Sequence, residues 1–214
     1  ITNMDITRNF DLLTNLKESH NFPIGISGKK NGTWTNYSTN EYADHVDNIS
    51  YGLLKQGIER GDKVAIISTN RPEWNFADFG ASQLGCITVP MYPTISESDY
   101  KYILNNAEVK VVFVESIDIY KKIDAIKNEV PSLKYIYSFE NIPGLPLWTE
   151  LTEIGKANPA PEKLAALKAL VKPEDDERER TRMLHLAEKF MNDLSLSYQV
   201  VQLSTGDISF PAAE

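Results

Sequence analysis

The stretch KVAIISTNRPEWNFADFGASQLGCITVPMYPT, Lys63 to Thr94, holds a short β-branched run, a helical pattern opened by a proline, and a second β-branched run. The first run, Lys63 to Ser68, is apolar, bounded by turn residues and too short for a helix, so it reads as a buried strand. Pro72 suits the first turn of a helix, where its missing N–H costs nothing, and Glu73 lies at the positive end of that helix. Ala77, Ala81 and Leu84 then follow Trp74 at helical spacing, and the small residues Ala77, Gly80, Ala81 and Gly85 would let the helix lie close to a sheet. Cys86 to Tyr92 supplies the next strand. One strand–helix–strand unit is therefore written out in full, and such units build parallel sheets.

The cadence continues downstream. VKVVFV (109–114) and LKYIYSF (133–139) are two more strand runs. Before the first of these, Tyr100, Ile103 and Ala107 follow a Ser96–Asp99 cap, and between the two, Ile119, Ile123, Ile126 and Val130 step by four, three and four residues. The expected fold is α/β, a mostly parallel, doubly wound sheet flanked by helices. Upstream, Ser38 and Glu41 stand at capping-box spacing before Tyr42, Val46, Ile49 and Leu53, and Gly57 offers a stop. A further helix is expected over about Phe10 to Glu18. Between these two, IGISGKKNGTWTNYS (24–38) reads as a hairpin turning at Lys30, Asn31 and Gly32, packed at the sheet's margin. After Phe139 come a proline-rich loop, a short helix over Thr149 to Lys156 and another over Pro161 to Leu170.

Composition narrows the function classes. The 214 residues are 42% hydrophobic and 24% charged, the make-up of a soluble globular protein. A net charge of -8 offers no basic stripe for nucleic acid. Cys86 is the one cysteine, which excludes an internal disulfide and a cysteine-based zinc cluster, and the three histidines are scattered. No run approaches the roughly 18 apolar residues of a membrane span, and no signal-like start is present. A reducing cytoplasm is the expected location.

Pro90 and Pro93 bracket Met91 and Tyr92 just past a strand end, and ligands of parallel sheets lie outside strand C-termini. Trp74, Tyr92 and Pro93 are accordingly the candidate substrate-pocket residues. Aromatic residues at such spacing are more often core or rim residues, and that plainer reading stands beside the functional one.

NRPEW, followed by GCITVPMYPT and YILNNAEVKVVFVE, resembles the N-terminal region of the long-chain acyl-CoA synthetases of the adenylate-forming superfamily. The resemblance extends over about residues 6 to 176 and includes WTNYSTNEYADHVDNISYGLLKQGIERGDKVAI. It implies the N-terminal subdomain of that fold. It also implies a complete enzyme that joins a fatty acid to ATP, with Mg, and passes the acyl group to coenzyme A. In that family KPEDD leads to a Ser/Thr/Gly-rich loop ending in Pro-Lys-Gly that holds the triphosphate, the charge that in-line attack needs positioned and neutralised. Here Asp176 runs into ERERTRMLHL, and LSTGD (203–207) lacks the second glycine and the lysine. The resemblance therefore assigns these residues no catalytic, cofactor-binding or metal-binding role, and implies a piece that is inactive alone.

LVKPEDDERERTRMLHL (170–186) carries seven consecutive charged residues, Glu174 to Arg180. Beyond it, an amphipathic helix is expected over about Glu177 to Leu194, with Met183, Ala187, Phe190 and Leu194 on one face, and then the strand YQVVQL. Residues 177–214 resemble a segment of a seryl-tRNA synthetase catalytic domain, without the motifs that bind ATP and serine there. The expected organisation is thus a subdomain over 1–176 and a helix–strand tail of different origin over 177–214, a fusion either engineered or arisen by rearrangement. A non-enzymatic interaction module is the alternative, with homo-oligomers formed through a sheet edge or the tail. A small nucleotide-binding domain of flavodoxin-like type is a third reading, disfavoured because STNRPEW has no glycine after the first strand.

Overall fold

A computed structural model describes residues 8–30 and 32–171; the helix and strand expected over 177–214 lie outside the described residues. In chain order the elements are α1 (Asn9–Ser19), β1 (Ile26–Lys30), β2 (Thr33–Tyr37), α2 (Thr39–Lys55), β3 (Lys63–Ile67), α3 (Pro72–Ser82), β4 (Ile87–Met91), α4 (Glu97–Asn106), β5 (Val109–Val114), α5 (Ile117–Ile126), β6 (Tyr135–Ser138), α6 (Trp148–Ala157) and α7 (Pro161–Leu170). The four strands from β3 onward form one sheet in the order β4-β3-β5-β6, and every pair is parallel.

The period-two alternation of the central strands sorts their side chains onto two cores. Val64 and Ile66 of β3 join Val111 and Phe113 of β5 beneath α2, α3 and α6. Ala65, Ile67, Val112 and Val114 face the other way, under α4 and α5. Strands β3 and β5 are therefore apolar on both faces, as strands between two helical layers must be. Helices lie on both faces because the chain steps from β3 outward to β4 and then returns across β3 to β5, and right-handed crossovers in opposite directions land on opposite faces. A register shift between Lys63 and Val64 skips Lys110, which turns Val109 onto the second face while Lys110 pairs with Asp62 at 2.6 Å.

Local signals set most boundaries. Ser38 caps α2, accepting from the Glu41 amide at 3.2 Å, while Glu41 accepts from the Ser38 amide at 2.7 Å. Gly57, at φ +77, ends that helix in the left-handed region that favours glycine. Helix α4 has the same reciprocal cap between Ser96 and Asp99.

Two expectations are corrected. The hairpin β1–β2 is a sheet of its own and does not join the parallel one; it rests on α3, with Pro72 under Gly28. Gly80 brings α3 against α2 more closely than against the sheet: a Cβ there would sit 2.6 Å from Ile49, and the Ser50 hydroxyl donates to the Gly80 carbonyl at 2.7 Å. Phe76, Ala77 and Ala81 of α3, all fully buried, join the core that holds Val64 and Ile66 of β3. At the far end, two arginines collect the carbonyls of α7. Arg8 donates to those of Lys168 and Val171, and Arg60 to that of Leu170.

Candidate functional site

All four parallel strands end on one edge, and the loops following them carry the candidate residues. With this strand order the switch point falls between β3 and β5, where consecutive crossovers leave in opposite directions and open a crevice.

That crevice is bridged by the chain itself. Glu115, the residue after β5, accepts from the Thr69 amide at 2.7 Å with one carboxylate oxygen and from the Thr69 hydroxyl at 2.7 Å with the other. Its own amide donates to the Ile67 carbonyl at 3.0 Å, so the two strand ends are tied through backbone and side chain together. Next to Thr69, Arg71 is held in extended backbone by the proline that follows and forms the N-cap position of α3. Its guanidinium makes two bonds to the Glu73 carboxylate, 2.9 and 3.1 Å, and lies 5.3 Å from the centre of the Phe139 ring. Burial works against the Arg71 charge. The Glu73 carboxylate, followed by Glu115 and Glu140, outweighs it and holds the pKa above its ordinary value. One cation among three carboxylates leaves this edge acidic.

The sequence candidates occupy the same edge with different surroundings. Trp74, in the first turn of α3, is half-buried and packs against the core under α2, α3 and α6. Tyr92 follows β4 and is 75% exposed, with Pro93 half-buried after it. Tyr92 and Pro93 share a loop, whereas no ring contact joins Trp74 to Tyr92 among the described residues. The loop is pinned from below at two carbonyls: the Tyr100 hydroxyl donates to that of Tyr92 at 2.8 Å, and the Lys122 ammonium to that of Ile95 at 3.0 Å. Thr69, Arg71, Glu115 and Phe139 were missed in the sequence. The available signal was position, since each lies within four residues past a strand end.

Phosphate and metal chemistry were tested against this geometry. The β3–α3 loop has no glycine, and its Thr69 amide already serves a carboxylate, so these residues do not fit a triphosphate. Among the described residues no group of three His, Cys, Asp or Glu side chains converges as a metal site.

The sequence profile described as AMP-binding enzyme matches residues 16–178. The chain belongs to that family. Relatives of this chain include the long-chain-fatty-acid–CoA ligase FadD15 of Mycobacterium bovis, 31% identical over 65% of the chain and 23% of the relative. The long-chain-fatty-acid–CoA ligase heimdall of Drosophila melanogaster is 29% identical over 68% of the chain and 22% of its own length. Among solved structures, the anthranilate CoA ligase AuaEII in complex with anthranoyl-AMP superposes with a TM-score of 0.59 at 19% identity, covering 67% of this chain and 26% of that one. A putative long-chain-fatty-acid CoA ligase from Rhodopseudomonas palustris gives a TM-score of 0.51 at 21% identity, over 56% and 30%. The chain thus spans about a quarter of the length of these proteins, and it shares their fold. No helix among the described residues is long and apolar enough to cross a membrane.

Proposed function

We propose that this AMP-binding chain is the N-terminal subdomain of an ATP-dependent long-chain fatty acid:CoA ligase, and that the 214 residues alone activate no acid. The observation that carries the reading is the family match over 16–178 onto a doubly wound sheet whose ligand-facing edge is built while the triphosphate-holding residues are not among it. In the complete enzyme ATP, Mg and coenzyme A are held by residues beyond those described, and fatty acid and coenzyme A are the substrates. Trp74, Tyr92 and Pro93 line one wall of the acyl pocket, a role supported by their shared position past the C-termini of β3 and β4. The single buried thiol suits a reducing compartment such as the cytoplasm.

The organisation we propose is a ligase subdomain over 1–176 followed by a tail of separate origin over 177–214. It is supported by the family match, which ends at 178.

A transplant tests the proposal. Residues 6–176 would replace the matching region of a full-length long-chain ligase, and acyl-CoA formation would be followed by thiol loss across a panel of chain lengths. Turnover within about tenfold of the parent, roughly 1.4 kcal/mol in barrier, is the expected result, and a folded but inactive hybrid would overturn the reading. In that hybrid Trp74→Ala and Tyr92→Ala should shift the chain-length profile; an unaltered profile sinks the pocket assignment alone.

A further inference from the structure

A cavity of about 130 Å³ opens among α1, α2 and α7, and its lining includes no residue of the loops at the strand C-termini. Phe10, Leu13 and Ala43 make its apolar floor, and Asp47, Gln83 and Lys168 stand around it.

These polar groups face one another across the cavity without a direct ion pair. Asp47 and Lys168 carry opposite charges into the same cavity, yet among the described residues no ion pair joins them. The Asp47 carboxylate accepts from the Gln83 amide nitrogen at 3.3 Å. Lys168 donates to the Thr14 hydroxyl at 3.4 Å, a long bond, and its ammonium lies 5.4 Å from the centre of the Phe10 ring. Gln83 is 2% exposed, and its amide nitrogen serves Asp47 and Ser50. Burial pushes the Asp47 pKa up and the Lys168 pKa down, against the attraction that each charge exerts on the other. Lys17 and Glu18 line the cavity as well, and the Lys17 ammonium lies 3.6 Å from Asp44.

We propose that this cavity is a binding site for a small zwitterion of amino-acid size, its ammonium against Asp47 and the Gln83 carbonyl, its carboxylate against Lys168, and its aliphatic part on Leu13 and Ala43. A simple anion in the same place faces the Asp47 carboxylate, and a simple cation faces the Lys168 ammonium. Only a ligand bearing both charges satisfies both walls. The volume is of the order of apolar cavities that admit benzene, about 150 Å³. The site is independent of the ligase reading.

The test is an NMR titration of the 214-residue chain with glycine and with L-alanine. Acetate and methylammonium, each carrying half of the charge pattern, serve as controls at matched ionic strength. The expected result is saturable movement of the Leu13 and Ala43 methyl signals and the Gln83 side-chain amide, with a Kd of the order of 1 mM. The controls and the variants Asp47→Asn and Lys168→Met should each bind about tenfold more weakly or worse. Movement without saturation by about 100 mM, or equal binding of the half-charged controls, overturns the proposal. Those arms use the unaltered chain and decide the matter even where a variant does not fold. If the variants fold and bind as the original does, the site is refuted as well.

Discussion

At the scale of single residues, burial changes what the ionisable groups do. Cys86 is 8% exposed, and burial, with a smaller contribution from Asp62, pushes its pKa up to about 12. The thiolate is the reactive form, so iodoacetamide at pH 8 should modify the folded chain more than about tenfold more slowly than the urea-unfolded chain; mass spectrometry of the time course checks this. His45 packs its ring on Phe76 at 4.9 Å and Trp148 at 5.1 Å, and burial, aided by Lys156, lowers its pKa. The fold thus prefers the neutral ring, while the unfolded chain takes up a proton near the ordinary value of about 6.5. Stability from this group is fully present above that value and is lost as pH falls through the lower folded-state value. Urea midpoints at pH 7.5 and 5.5 should show a smaller acid-side drop for His45→Gln than for the original chain. Equal drops would show that His45 is not involved.

At the scale of elements, two kinds of contact carry the predictions, and they differ in how far the sequence disclosed them. The Ser38–Glu41 cap was legible because its partners are three residues apart, and local spacing is enough to state it. Ser38→Ala should lower stability by about 1 kcal/mol in urea unfolding. The packing of α6 on α2 was not legible. Gly155 meets the Asn48 carbonyl oxygen, where an added Cβ would lie 1.9 Å away, and Gly52 meets the Leu151 carbonyl oxygen at 2.4 Å in the same sense. Periodicity identifies the buried face of a helix but not the element it meets, and the same limit sent Gly80 toward the sheet in sequence reasoning when its neighbour is Ile49. Gly155→Ala forces backbone against backbone and should cost about 1–3 kcal/mol, measured by the shift in urea midpoint. The Thr69–Glu115 bridge was hidden for another reason. It depends on β3 and β5 being neighbours although β4 lies between them in the chain, and strand order is not written in the pattern of either strand. Amide exchange at Thr69 should quicken in Glu115→Ala, because the carboxylate that accepts its N–H is gone; unchanged exchange would mean that the backbone alone holds the crevice closed.

At the scale of the molecule, the strands and helices of the parallel sheet were readable because each βα unit repeats the same local signals. The candidate pocket was readable only as a location. Its edge can be placed from strand ends, but the carboxylates of Glu73, Glu115 and Glu140 around Arg71 come from the first turn of α3 and from the loops after β5 and β6, meeting in space. The family match, the parallel sheet and the carboxylate seated on the Thr69 amide support the proposal made above, in which these residues contribute a wall and a scaffold to acyl activation without the group that holds the triphosphate. ATP–pyrophosphate exchange on the purified 214-residue chain, with Mg and a panel of fatty acids, tests that claim most directly. The account predicts exchange no higher than in the blank without fatty acid. Fatty-acid-dependent exchange by this chain alone would contradict it, because triphosphate would then be bound and cleaved without the loop on which the argument rests.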